Sequence, residues 1–585
     1  MFQLRRGYAV LFIILVVLSV YYSTLFAEVL SIDDQAMINS LLNNDNFTFK
    51  SVLLPGGGYY YRPLILSSFI LDKYLWGLHE SFMHLENIVL HALNACLVYI
   101  IAANVSERRG EKSAAVPLFA AFLFAVHPLA TEPVNWISGR TDLLAGAFLL
   151  ASFLLLLLSL TRRSIALLLA STCFFFVSAL AKETAIFWYP AALFMVYVNG
   201  RDSDMGFPRD LIATLKSHWI YFLAVTAAPT GYFTLRYFAL KSYDSGIGLA
   251  VKGVIVGQNF DILNKLRVTL KVFGFYLKKL VAPLPLNFTI LSVSNWYVPV
   301  GIAGVILCVF LVYKRNELSA LLLMALCIIS PALLVPLGKM ALAPVAERYL
   351  YMPSAFFAIC ASVGGASCLQ RYKISQGVVT ATATLLLLLA GCATWQRNLV
   401  WQTNLGFFQE AVRQNPDYVP VKNELAKALQ GAGRYEEARR IYLSIKMPAT
   451  EAYHIVTVLN RATAMAAQDI AGAIMLLKNT ECPELNPFYA NYLQTRMYLN
   501  GLMLDKTIDR QVKCEIHAEN IELMKKLQLR TGDPYYYYRI GQLCLTVGDN
   551  REAMEYFKLA AEKSPENSYY KAPARKLYER LAGNM

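Results

Sequence analysis

The sequence predicts an all-α protein in two parts: a polytopic membrane bundle over residues 1–400, then a soluble array of helical repeats over 401–585. Three observations carry this reading. The chain is 56% hydrophobic and only 16% charged, with a mean hydropathy of +0.42, whereas a soluble globular protein carries about 25% charged residues. The shortage of charge is concentrated in the first two thirds and ends after Trp401. Beyond that point, large and small residues recur at a period of about 34, the signature of stacked helix pairs.

Each crossing helix requires about 20 predominantly apolar residues. Residues 7–27 satisfy this, follow the basic Met1–Arg6, and have no small-residue cleavage site, so they are expected to be a retained first span with a cytoplasmic N-terminus. Residues 28–81 then form a long polar loop on the far side. Further spans are expected near 83–103, 115–130, 143–160, 165–182, 185–199, 218–239, 295–313, 318–337, 349–367 and 376–395, giving about eleven crossings. The segment 263–286 is apolar but holds Lys265, Arg267, Lys271, Lys278 and Lys279, and is expected to lie along the far interface. An odd number of crossings puts the repeat array on the far side.

The net charge of +14 admits two readings, nucleic-acid binding or topological loops. The bases sit between apolar runs, at Arg5-Arg6, Arg108-Arg109, Arg162-Arg163, Lys314-Arg315 and Arg371–Lys373, so the positive-inside rule accounts for them and no nucleic acid is expected. The ten cysteines have no metal-like spacing.

In the array, residues 534–567 place Tyr537, Ile540, Gly541, Ala553, Phe557, Ala560 and Pro565 at the large, small and helix-breaking positions of a tetratricopeptide repeat. Residues 419–452 do the same with Leu425, Ala426, Gly433, Ala438 and Tyr442. Phe408, Ala411 and Asn415-Pro416 make a half repeat directly after the last span, and 451–530 are helical but degenerate. Such an array is either a scaffold or a concave surface for a peptide or protein partner.

Ionisable groups in or beside spans are costly and point to function. Here they gather at the far-side span ends. Asp33-Asp34 follow the first span, as a general base with its partner or as a helix cap before Gln35. Arg62 lies in Tyr61-Arg62-Pro63-Leu64. His84 and His91 share a helical face, as buried polar contacts or as part of a metal site, and the metal is left open. A second far-side loop, 127–142, crowds His127, Thr131, Glu132, Trp136, Arg140 and Asp142 between two apolar spans. Lys182-Glu183, Arg236 and Glu347-Arg348-Tyr349 complete the constellation. Several cations converging with carboxylates at one membrane face suit a phosphorylated lipid head group and a proton transfer. By charge and side, Lys182, Arg236 and Arg348 are the candidates for the phosphate, with Arg62, His84, His91, His127, Arg140, Asp142 and Glu347 lining the substrate pocket.

The order Asp33-Asp34, Tyr61-Arg-Pro-Leu64, His84-Leu-Glu-Asn-Ile-Val-Leu-His91, His127-Pro, Thr131-Glu132, Gly139-Arg-Thr-Asp142, Lys182-Glu183, Tyr276-Leu with Pro283 and Leu286, and Glu347-Arg-Tyr-Leu-Tyr-Met-Pro-Ser354 resembles the TMTC group of transmembrane, tetratricopeptide-repeat O-mannosyltransferases of the GT-C fold. The junction Trp395-Gln-Arg-Asn to Trp401 is also similar. The resemblance implies a polyprenyl-phosphate-linked sugar donor, inverting transfer to a Ser or Thr hydroxyl of a protein, an Asp33/Asp34 base and support from Glu132. A divalent metal is compatible but not required by the sequence. The repeat array is shorter than in animal members, which is the pattern of a bacterial relative in the inner membrane, using undecaprenyl phosphate, with its repeats in the periplasm. The alternative is a dolichyl donor in the endoplasmic reticulum, with the repeats in the lumen. Competing readings are transfer to a glycan or lipid, a membrane-anchored scaffold, and a transporter. The last is disfavoured because transporters place their ionisable groups near the bilayer midplane.

Overall fold

The computed structural model describes residues 2–42, 47–55, 60–111, 113–202, 205–240, 261–338, 343–372, 374–445, 454–486, 488–565 and 568–583. Asn46 of the sequon Asn46-Phe-Thr, Lys373 of the last basic loop and residues 446–452 of the first expected repeat lie outside the described residues. The described chain is helical apart from short turns and one antiparallel bridge between Ile290 and Val345. It divides into two compact units, Met1–Asn415 and Pro416–Met585.

Among the described residues of the first unit, seven helices are long and apolar enough to cross a membrane: Arg6–Phe26, Glu80–Arg108, Ile137–Arg162, Asn295–Lys314, Glu317–Leu337, Glu347–Arg371 and Gln376–Val400. Two bent pairs, Ala115–Ala125 with Pro128–Asn135 and Phe207–Ser217 with Trp219–Leu240, raise the number to nine if each is one span. The bends of 46° and 76° follow from the sequence. His127-Pro128 breaks the first pair, because the residue before a proline is pushed out of the helical region. The His218 break divides the second. The expected eleven spans are reached only if the apolar helix Ile165–Ala181 and the helix Tyr189–Gly200 cross as well. The helix Ile262–Val281, where interfacial placement was expected, is not among the candidate spans.

The loops sort to two ends. At one, Arg108 pairs with Glu317 at 3.4 Å, Arg201 donates to the Arg315 carbonyl at 3.1 Å, Arg6 meets Glu107, and Gln370 meets Glu111. These contacts gather the chain's beginning and the loops near 104–114, 200–217, 314–317 and 368–375. The polar loops 28–81 and 127–142 gather at the other end, where the two shorter helices also begin or finish.

Small and polar residues let the spans approach. Ser152 and Ser171 each donate a hydroxyl to the other's carbonyl at 2.8 Å. A Cβ on Gly274 or Gly301 would lie about 2 Å from the facing backbone of Tyr297 or Leu270, so Ile262–Val281 and Val298–Lys314 touch backbone to backbone. With no hydrophobic drive between helices in lipid, such packing and bonding hold a bundle together. His91, Asn94 and Tyr351 form a buried polar knot: Tyr351 Oη lies 2.9 Å from both His91 Nδ1 and Asn94 Nδ2, while His91 Nε2 lies 3.0 Å from the Ala125 carbonyl. Asn94 Nδ2 also donates to the Leu143 carbonyl at 2.9 Å.

The second unit is a stack of antiparallel helix pairs. The pair Tyr535–Val547 and Asn550–Lys563 packs as its pattern requires: Gly541 lets Phe557 come within 2.9 Å of where a Cβ would stand, and Gly548 ends the first helix in the left-handed region. Such a position favours glycine. Val419–Gly431 and Tyr435–Ser444 bury Leu425, Ala426, Ala438 and Tyr442. The degenerate stretch forms His454–Ala466 with Ile470–Lys478 and Tyr489–Lys506 with Arg510–Thr531, around Tyr492, Leu499, Leu523 and Leu527. Its last two helices, of 18 and 22 residues, outgrow the repeat template, which is why the period fades there.

Candidate active site

The first polar loop delivers two carboxylates in different settings. Asp33 takes a left-handed backbone conformation, φ 62°, which is uncommon for a residue with a side chain and tolerated by aspartate. Its carbonyl accepts from Met37 N at 2.9 Å, starting the helix Asp34–Leu42. The Asp33 side chain is open on its outer side. Crowding around the carboxyl pushes its pKa up and Arg348 pulls it partly back.

Asp34 is buried. Its Oδ1 accepts from the Ser138 amide at 2.9 Å and from the Ser138 hydroxyl, and its Oδ2 is buried with no hydrogen-bond partner. Burial pushes the Asp34 carboxyl up to about 7, the Ser138 bonds pull it down and the neighbouring Asp33 charge pushes it up again. Ser138 is held by a tight turn, Ile137–Gly139. A Cβ on Gly139 would stand 2.5 Å from the Pro133 carbonyl oxygen, so only glycine lets this turn lie against the helix Thr131–Asn135.

That helix is fixed by hydrogen bonds to the first and last spans. Asn135 accepts from Thr24 Oγ1 at 2.8 Å and donates to Asn398 Oδ1 at 2.7 Å, and Asn398 in turn donates to the Val20 carbonyl at 2.9 Å. Glu132, held in place, accepts from Arg348 Nη1 at 2.7 Å and from the Arg348 backbone amide at 3.1 Å. The Arg348 guanidinium lies 5.3 Å from both the Trp136 and Tyr349 ring centres, a cation–π cradle.

The charges continue inward. Lys182 Nζ lies 2.7 Å from both oxygens of Asp142 and 5.4 Å from the Tyr349 ring centre. Arg62 meets Glu183 with two parallel bonds of 2.8 and 2.7 Å. Arg62 and Arg348 both lie within electrostatic reach of Lys182, and Arg236 lies near Tyr232 beside the Arg62–Glu183 pair. Asp33, Asp34, Glu132, Arg348, Asp142, Lys182, Arg62 and Glu183, with Arg236 beyond them, thus form one connected polar region.

The other expected pocket residues have protein partners of their own. Arg140 is buried and saturated: it meets Asp72 at 2.6 Å, Glu86 at 2.8 Å, Asn87 at 3.2 Å and the Met83 carbonyl at 3.1 Å. Burial pushes the Asp72 carboxyl up to about 7, against the pull of Arg140. His91 belongs to the polar knot, His127 Nδ1 accepts from Leu129 N at 3.2 Å, and His84 is buried on the same helix as His91, within electrostatic reach of Arg140. Among the described residues, no group of three or more His, Cys, Asp or Glu side chains is placed to hold a metal ion. Glu347 accepts from Lys279 and from the Asn287 amide at 3.1 Å.

Ser138 and Lys279 were not among the sequence-derived site residues. Ser138 had no signal beyond membership of the crowded loop. Lys279 had one: Tyr276, Lys279 and Leu280 share the buried face of Ile262–Val281 at i, i+3 and i+4, and a lysine on that face needs a buried partner.

A tetratricopeptide-repeat model matches residues 534–567. The chain is 24% identical over 436 residues to the human protein O-mannosyl-transferase TMTC3, covering 66% of this chain and 44% of that protein. It is 27% identical over 424 residues to human TMTC1, covering 65% and 47%, and 24% identical over 461 residues to the Caenorhabditis elegans protein O-mannosyl-transferase F38B6.6, covering 74% and 61%. The chain spans about half the length of the human relatives it matches. No solved structure matches it. It is an all-helical membrane protein with a tetratricopeptide repeat. Its homologues are the TMTC protein O-mannosyl-transferases.

Proposed function

We propose that the chain is a GT-C type membrane glycosyltransferase, which moves a sugar from a polyprenyl-phosphate donor to a Ser or Thr hydroxyl of a protein on the extracytoplasmic side, with inversion. The observation that carries this is the placement of the open Asp33 carboxyl beside Arg348, with Lys182 and Arg62 behind it, at the end of the bundle opposite the basic loops. The relatives' names supply the reaction class.

Asp33, open to the acceptor, takes the hydroxyl proton. The hydroxyl oxygen attacks the anomeric carbon from the face opposite the phosphate. The bond from that carbon to the phosphate oxygen breaks, and the lipid phosphate leaves with the electron pair. Arg348 and Lys182 stabilise the charge growing on that phosphate, exchanging part of their bonding to Glu132 and Asp142 for it, with Arg236 at the inner edge of the region. Preorganised donors of this kind are worth about 10²–10³ in rate each. Buried Asp34 positions the loop through its bonds to Ser138. An Asp33 carboxyl whose pKa burial raises above the usual carboxylate range suits general-base work at ambient pH. The second unit holds the acceptor, a use for which such repeats are suited. The membrane is the bacterial inner membrane, with the second unit in the periplasm. The endoplasmic reticulum with a lumenal repeat unit is the counterpart favoured by the animal relatives.

The test is transfer from a panel of radiolabelled polyprenyl-phosphate sugars by the purified protein to a cell-envelope protein extract. Labelled protein is expected. Labelled glycan or lipid with unlabelled protein would replace the acceptor class, and no transfer with any donor by folded protein would contradict the reading.

A further inference from the structure

The helix Asn404–Gln414 follows the last span and precedes Pro416, where the second unit begins. Its first residue does unusual work for a surface asparagine. Asn404 Oδ1 accepts from Ser31 N at 2.8 Å, and Nδ2 donates to the Val29 carbonyl at 2.8 Å and to Glu28 Oε2 at 3.1 Å. The Asn404 backbone amide also donates to Glu28 Oε2 at 2.8 Å, and Glu28 N donates to the Gln402 carbonyl at 3.0 Å. One side-chain amide thus satisfies the exposed backbone of Glu28–Ser31 on both sides, as a neighbouring strand would, two residues before Asp33.

The far end of the same helix grips a second segment. Gln414 Nε2 donates to the Leu286 carbonyl at 3.0 Å, and Asn415 Nδ2 donates to the Thr289 carbonyl and hydroxyl at 2.7 Å each. Between these ends, Phe407 packs on Phe288 and Trp401 with ring centres 4.7 and 4.5 Å apart, and Phe288 meets Trp136, whose ring lies under Arg348. The Leu286–Ile290 segment in turn bonds Glu347 through Asn287 and bridges Val345 at Ile290. One 11-residue helix therefore holds the segment leading into the aspartates and, through Phe288 and Asn287, the segment leading into Arg348.

We propose that Asn404–Gln414 is a positioning strut, with Asn404 as the residue that sets the Asp33–Asp34 loop against Arg348. This rests on the reading of Asp33 as the base and Arg348 as a phosphate ligand.

Backbone hydrogen exchange of residues 28–35 and 284–290 in the full-length protein tests the strut without reference to activity. In Asn404→Ala, exchange at 28–35 should quicken about tenfold or more, the consequence of losing several hydrogen bonds, while 284–290 stay as in the wild type. Asn415→Ala should show the reverse. Glu28→Ala, which removes one acceptor at the surface, is the milder second variant and should quicken 28–35 to a lesser degree. With transfer measurable, Asn404→Ala should lower kcat, move the acid limb of the pH profile and leave the donor KM unchanged. Unchanged exchange at 28–35 in both Asn404→Ala and Glu28→Ala, or quickened exchange with kcat and pH profile unaltered, overturns the proposal. Quickened exchange in a protein whose wild type transfers no sugar supports the strut and overturns the functional reading instead.

Discussion

Ser138 donates its backbone amide at 2.9 Å and its hydroxyl to a single oxygen of Asp34, leaving the other buried and without a partner. The two loops that carry the expected catalytic carboxylates are thereby fastened together. Burial, which the Ser138 bonds only partly offset, keeps the proton affinity of Asp34 high.

The first consequence concerns the Asp33 and Asp34 roles. Asp33→Asn should insert and fold normally and lose transfer by about 10²–10⁴, the range for loss of a general base. Asp34→Asn should retain part of the rate, because the open carboxyl remains. The acid limb of kcat/KM should stay close to that of the wild type, since burial, not a neighbouring carboxylate, is what raises Asp33. Rate-against-pH profiles of the two variants check this. A larger loss in Asp34→Asn than in Asp33→Asn would reverse the assignment.

Stability should depend on the same group. The folded Asp34 pKa, about 7, lies above its unfolded value of about 3.9, so between these pH values the folded state binds more protons than the unfolded state. Stability from this group therefore falls as pH rises through that window. Asp34→Asn removes the cost of burying the charge and should raise the Tm at pH 8, with little change at pH 4. Thermal melts at both values check the sign, and a lower Tm at pH 8 would contradict it.

Ser138→Ala removes one of the two donors that favour ionised Asp34. A hydrogen bond to a charged group is worth about 1.5–3 kcal/mol, so the Asp34 pKa should rise by about one to two units. Titration of the Asp34 carboxyl by isotope-edited infrared spectroscopy should show that upward shift. Gly139→Ala should fail more broadly, because its Cβ would meet the Pro133 backbone 2.5 Å away.

Arg140 should separate structure from chemistry. It is buried against Asp72 and Glu86, and removing one partner of a buried ion pair costs about 3–5 kcal/mol. Arg140→Met should therefore reduce the yield of folded protein. Arg348→Lys keeps the charge but loses the planar fork, and should fold normally while transfer falls by about 10²–10³. Fluorescence-detected size exclusion, read beside the transfer rate, distinguishes the two.

Much of this was legible in the sequence, for physical reasons. Spans announce themselves because a bilayer demands long apolar runs. Asp33, Asp34, Glu132, Lys182, Glu183 and Arg348 stood out because charge beside a span is expensive. What was not legible is pairing across distance. Nothing local joins Ser138 to Asp34, Lys279 to Glu347 or Asn404 to Ser31, residues 104, 68 and 373 positions apart. The same limit hid the four protein partners of Arg140, which come from two other helices. His91 shares a helix face with His84, yet its partners are Tyr351 and Ala125, which helical spacing could not reveal. The Ile165–Ala181 and Tyr189–Gly200 passages read as spans by composition, and their helices run 17 and 12 residues against about 20 for a typical crossing.

The most direct test of the central claim is sugar transfer by wild type and by the Asp33→Asn/Asp34→Asn double variant, reconstituted in vesicles with the same polyprenyl-phosphate sugar and acceptor protein. The account predicts transfer that depends on the lipid-linked donor in the wild type, and a rate at the no-enzyme background in the double variant, with both proteins equally folded. Equal transfer by both would contradict it.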